Sequence, residues 1–99
     1  MTVRIELWLD GALVGGADHW WDDIEGVLNA IDGGFPQLRK VDPYGVAIFA
    51  SSALDELGRE ARELSRSAPN RAAGELSRIA ELCDDSHRAT SAELRFLGD

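Results

Sequence analysis

The chain has 99 residues, with ten basic and eighteen acidic side chains and a net charge of −8 at pH 7. That length suits one domain able to fold without metal or disulfide staples, and the acidity argues against unaided binding to nucleic acid or to an anionic membrane. The lone Cys83 cannot form an internal disulfide, and no basic-then-apolar leader or long uncharged apolar run is seen, so a cytoplasmic protein is expected.

Residues 2–9 alternate. Val3, Ile5, Leu7 and Leu9 point one way and Thr2, Arg4, Glu6 and Trp8 the other, which predicts an amphipathic strand with one wet face. Trp8 on that wet face is expected either to lie against a neighbouring strand or loop or to serve as an exposed binding aromatic. Asp10-Gly11 is a two-residue hairpin signal, and Ala12-Leu13-Val14 is expected to return as a short second strand that Gly15-Gly16 ends. A helix is predicted from about Trp20 to Asp32, with Asp18 as its cap, Asp22, Asp23 and Glu25 near its positive end and Gly33-Gly34 as its stop. Trp20, Ile24, Val27 and Ile31 form its apolar row, which Trp21 and Leu28 widen.

Pro43 and Gly45 signal a tight turn. The unbroken apolar run of residues 46–49 that follows predicts a strand covered on both faces, central in its sheet. Ser52 is expected to cap the next helix by accepting from the backbone N–H of Asp55. Leu54, Leu57, Ala61, Leu64 and Ala68 make its buried stripe, and Asp55, Glu56, Arg59, Glu60, Arg62, Glu63 and Arg66 fall on its wet faces. Pro69 breaks the pattern, and a third helix is predicted from Asn70 or Arg71, burying Ala72, Leu76, Ile79, Ala80 and Cys83. It ends in Asp84-Asp85, against the negative end of its own dipole. Ala92, Leu94 and Phe96 alternate with Glu93, Arg95 and Leu97 as a last strand. This order predicts a single α+β domain over residues 1–99: a small sheet of three to four strands, at least partly antiparallel, packed with about three helices.

Few constellations carry chemistry. Cys83 and His87 are four residues apart, and His19 with Asp18 could complete a zinc set, but one cysteine and two histidines lack the paired short spacings of structural zinc sites. Neither a metal nor a cofactor is predicted. Cys83 lies on the predicted apolar face, where its pKa would rise, and is expected to be inert. A solvated helix start gives Asp18, Asp22 and Glu25 no reason to hold different protonation states, so no catalytic residue is predicted. The glycine pairs lack the lysine and spacing of a phosphate-cradling loop.

Between Arg4 and Arg39 the chain has no basic residue, yet it carries Glu6, Asp10, Asp18, Asp22, Asp23, Glu25 and Asp32, with Trp20-Trp21 among them. Such a segment reads either as a docking face, with carboxylates steering a basic partner and an exposed indole anchoring it, or as a solvated helix with both indoles buried.

The Asp42-Pro43-Tyr44-Gly45 turn with its strand and helix, together with the closing Leu94-Arg95-Phe96-Leu97-Gly98-Asp99, resembles small bacterial immunity proteins that accompany polymorphic toxins. The resemblance covers size, acidity and α+β layout. Its motifs are structural, so it supplies no site residues, but it implies a non-enzymatic inhibitor that occupies a toxin's active cleft or a nearby face. The leading reading is therefore an acidic protein-binding module, an immunity protein or antitoxin that docks on a basic protein partner through Asp18, Trp21, Asp22, Asp23 and Glu25. Two alternatives stand beside it: a small enzyme or metal-dependent module using His19, Cys83 and His87, and a homo-oligomeric subunit with Trp8 or the tryptophan pair buried between copies.

Overall fold

Alternation in the first strand and the Asp10-Gly11 signal produce a long hairpin. The computed structural model describes residues 2–98, so Asp99, the last residue of the closing segment, lies outside the described residues. Strands β1 (Thr2–Leu9) and β2 (Ala12–Trp20) are joined by a turn in which Asp10 and Gly11 both have positive φ, 50° and 82°, as a two-residue turn matched to strand twist requires. Helix α1 (Trp21–Asn29) follows, then β3 (Val46–Ala50), α2 (Ser52–Ser65), α3 (Asn70–Asp85) and β4 (Ala92–Leu97). The strands form one four-stranded sheet in the order β2-β1-β4-β3, and every neighbouring pair is antiparallel. With three α-helices over one of its faces, this is the expected α+β fold.

The core lies between that face and the helices. At its centre Phe96 of β4 receives two aromatic edges, Trp21 of α1 at 5.8 Å and Phe49 of β3 at 5.3 Å, a geometry favoured by the ring quadrupoles. On the other face of the sheet no helix of the described residues packs. There Arg4, Glu6, Trp8, Glu93 and Arg95 form a ladder: Arg4 Nε meets Glu6 at 3.1 Å, Trp8 Nε1 donates to Glu6 at 3.2 Å, and the Arg95 guanidinium lies 4.3 Å from the Trp8 ring centre. Trp8 is thus covered within its own chain, by a cation resting on its π face.

Several expectations need correcting. The second strand does not end at Gly15-Gly16 but runs through both to Trp20. Pairing with β1 overrides the low strand propensity of glycine, and Gly16 is required, since a Cβ there would meet the Ile5 carbonyl oxygen at 2.6 Å. Asp18 consequently sits in β2 rather than capping a helix, and α1 starts one residue later than expected, with no side-chain cap. That shift places Trp21, Ile24 and Leu28 in the core and turns Trp20 outward. Ser52 likewise makes no cap bond, and α2 follows Ser51, whose φ is 53°.

Two further differences concern the second half. The apolar strand β3 is not central but forms a sheet edge, with Val46 and Ile48 exposed on the open face and Phe49 buried on the other. Glu60, placed among the wet residues of α2 by its charge, is buried, and its carboxylate accepts from the backbone N–H groups of Gln37 and Leu38, both at 3.0 Å. A buried carboxylate needs such donors. At the end of α3 the acidic conflict is relieved from outside: Arg62 of α2 pairs with Asp84 at 2.6 Å, and the Ser86 hydroxyl donates to the Cys83 carbonyl.

Candidate functional site

Three groups of polar residues stand out, and they lie on different elements. The first is the corner where β2 passes into α1. Alternation in β2 puts Asp18 and Trp20 on the open face, opposite Arg4 and Thr2 of β1. Asp18 is exposed and lies 3.6 Å from the Arg4 guanidinium, while Trp20 leaves 44% of its surface in solvent. Asp22 and Glu25 are exposed on the first turns of α1, where carboxylates are favoured by the helix dipole. Trp21, the indole expected to anchor a partner, retains only 2% of its surface and belongs to the core. Trp20 takes its place at the corner. The two residues are adjacent, so a change of one position in the helix start exchanges their roles.

The second group joins α1 to α3. Asp23, also expected on the docking face, turns toward α3, where its Oδ2 lies 3.1 Å from Arg71 Nε. The approach is an ion pair and not an aligned hydrogen bond, so with both carboxyls ionised Oδ2 of Asp23 and Oε2 of Glu75 are buried with no donor, and a proton on Glu75 supplies one. Burial, reinforced by the hydrogen bond and negative charge of Asp23, pushes the Glu75 carboxyl up to about 7, against the pull of Arg71. Close by in the fold, His19 of β2 packs beside Val3, buried to 9% exposure with Nε2 unpartnered. Burial and then the charge of Arg78 hold its imidazole below the usual range. Sequence periodicity gave no sign of the Asp23–Glu75 contact, because it links two helices far apart in the chain.

The third group lines a cleft of about 390 Å³ between α2 and the end of α3, bordered by Asp55, Arg62, Cys83, Asp84 and His87. His87 Nε2 meets Asp55 at 3.1 Å. Cys83 packs against Gly58 and is 3% exposed, and burial, aided by Asp84, pushes its thiol up to about 12. A thiol of that pKa is almost wholly protonated at neutral pH and a poor nucleophile. Ser51, at its unusual backbone angle, borders a second cleft with the same Asp55 and His87. No hydrogen bond joins its hydroxyl to His87, so the nucleophile–base contact of a hydrolase is not formed. His19 belongs to β2 and does not join Cys83 and His87, and among the described residues no three of His, Cys, Asp and Glu converge as a metal site would require.

No helix among the described residues is long and apolar enough to cross a membrane. No family model matches the chain, and no curated protein or solved structure matches it.

Proposed function

We propose that this chain is a protein-binding module of the immunity or antitoxin type, which inhibits a basic protein partner by docking on it. The observation that carries this reading is the corner of β2 and α1, where a half-exposed indole, Trp20, stands beside the exposed carboxylates Asp18, Asp22 and Glu25. Carboxylates steer a cationic surface into encounter, and a large aromatic that loses its water at the centre of the contact holds it there. Asp23 acts from behind, tying α1 to Arg71 of α3 and so fixing the angle at which the acids are presented. The net charge of −8 adds a long-range attraction for the same class of partner.

The test is co-purification of the tagged protein from its native host at low and moderate salt, beside Trp20→Ala and an Asp22→Lys/Glu25→Lys double variant. The expected result is a stoichiometric partner with a basic surface. The lysine variant should slow its association most at low salt, and Trp20→Ala should speed its release. A partner retained equally by both variants would remove this corner as the docking face, and recovery of the chain alone at every salt concentration would overturn the reading itself.

A further inference from the structure

We propose that the chain forms a two-fold symmetric dimer through β3, with the two strands pairing antiparallel about Ile48 so that two four-stranded sheets become one. Residues 43–54 are the longest stretch of the chain without a charged side chain, and β3 within it is an outer strand of the sheet. On or beside that edge Tyr44, Val46 and Ile48 are 71%, 64% and 55% exposed. Sheet edges that must stay single are ordinarily blunted by charge, proline or a bulge. β3 has none of these within it and pairs with β4 without any register shift.

The strand is complementary to itself. Antiparallel pairing about Ile48 sets Val46 opposite Ala50 of the second copy on the open face, and Ala47 opposite Phe49 of the second copy on the helix side. Each large side chain then meets a small one, with the two Ile48 residues in contact at the axis. Charge balance beside the strand matters for two molecules each carrying −8, and the carboxylates that bound the uncharged stretch are engaged in their own chain, Asp42 accepting from the Tyr44 N–H at 2.9 Å and Asp55 meeting His87 at 3.1 Å. On the open face the nearest charges are Arg95 and Glu93, already paired at 2.9 Å. On the helix side they are Lys40 and Glu56, bridged through the Gln37 side chain at 3.2 and 2.8 Å. Two copies can therefore meet along β3 without opposing carboxylates, and the symmetric pairing satisfies the free backbone groups of both edges at once. A seam of five residues is a small interface, so the affinity belongs in the micromolar range. The assembly leaves both β2–α1 corners at the outer ends of the joined sheet, and it does not depend on what those corners bind.

Sedimentation equilibrium from about 1 µM to about 500 µM tests the proposal. The apparent mass of the wild type should rise from 10.8 kDa toward twice that value. Ile48→Glu places like charges at the axis while offering each chain a cross-strand partner in its own Arg95, and it should weaken dimerisation by about tenfold or more. Leu13→Glu, on the opposite sheet edge, should leave it unchanged. Circular dichroism checks that the variants fold. Independently of any variant, the backbone amides of residues 46–50 in the wild type should exchange with deuterium more slowly at high concentration. A chain that stays monomeric throughout, a dimer that Ile48→Glu leaves intact, or amide exchange in β3 that ignores concentration would each overturn the proposal.

Discussion

The two edges of the sheet expose equal numbers of large apolar side chains, Leu13, Val14 and Trp20 on β2 and Tyr44, Val46 and Ile48 on or beside β3, yet they are built differently. On β2 the register slips between Leu7 and Trp8, leaving Val14 as an extra residue in a bulge, and Asp18 brings a charge onto the edge. The β3 edge is regular and uncharged. A bulge and a charge spoil an edge as a template for another strand, so β2 is left to present side chains and β3 to offer backbone. A like number of exposed apolar side chains thus accompanies two differently built edges. Area by itself does not distinguish them.

The largest blow to the β2 side should come from its buried anchor. Trp21→Ala removes an indole packed edge-on against Phe96 and is expected to cost about 3–5 kcal/mol in urea unfolding. Trp20→Ala, one residue earlier and 44% exposed, should cost less than about 0.5 kcal/mol. Equal losses at the two positions would mean that the assignment of core and surface at this corner is wrong.

On the β3 side the corresponding anchor is polar. Glu60 holds the backbone of Gln37 and Leu38, and Gln37 and Lys40 wall the groove that runs along β3. Glu60→Ala strands two N–H groups in the interior and should destabilise by about 2–3 kcal/mol. Glu60→Gln keeps an acceptor oxygen and should cost distinctly less. Identical losses in the two variants would point to packing, and not the hydrogen bonds, as what Glu60 supplies.

Much of this was legible in the sequence, and the failures have physical causes. Alternation in residues 2–9 and 92–97 and the helical rows from Leu54 and Ala72 record which face meets the core, so β1, β4, α2, α3 and the α+β class follow from them. An apolar run such as Val46-Ala47-Ile48-Phe49 reports only that neither face carries charge, which is as true of an edge awaiting a partner as of a central strand. The tryptophan pair depends on where α1 begins, and strand pairing with β1, a long-range interaction, sets that boundary. Glu60 flanks the buried stripe of α2, and its burial depends on donors from a connector more than twenty residues earlier. Asp23 could be recognised as acidic and near a helix start, but its neighbour Glu75 lies on another helix, and no local pattern predicts that meeting.

That meeting gives the β2 side a pH dependence that the β3 edge, having no titratable side chain in its strand, lacks. The Glu75 carboxyl is raised from 4.5 to about 7 in the folded protein. Between those values the folded chain holds a proton that the unfolded chain releases, so the contribution of Glu75 to stability is fully present below about pH 4.5 and is lost as pH rises toward 7 and above. Deprotonation leaves two carboxylates facing each other between α1 and α3, with the solvent-exposed Arg71 as their common cation. Glu75→Gln removes that repulsion and keeps a hydrogen-bond donor toward Asp23. Its stability relative to the wild type should therefore be near zero at pH 5 and grow to about +1 kcal/mol by pH 8, a modest figure because solvent around Arg71 screens the pair. Groups away from this contact are common to both proteins, so urea unfolding of the two across this range isolates the Asp23–Glu75 pair. A flat difference curve would mean that Asp23 and Glu75 do not interact in solution. The α1–α3 contact would then add no pH dependence of its own to the β2–α1 corner.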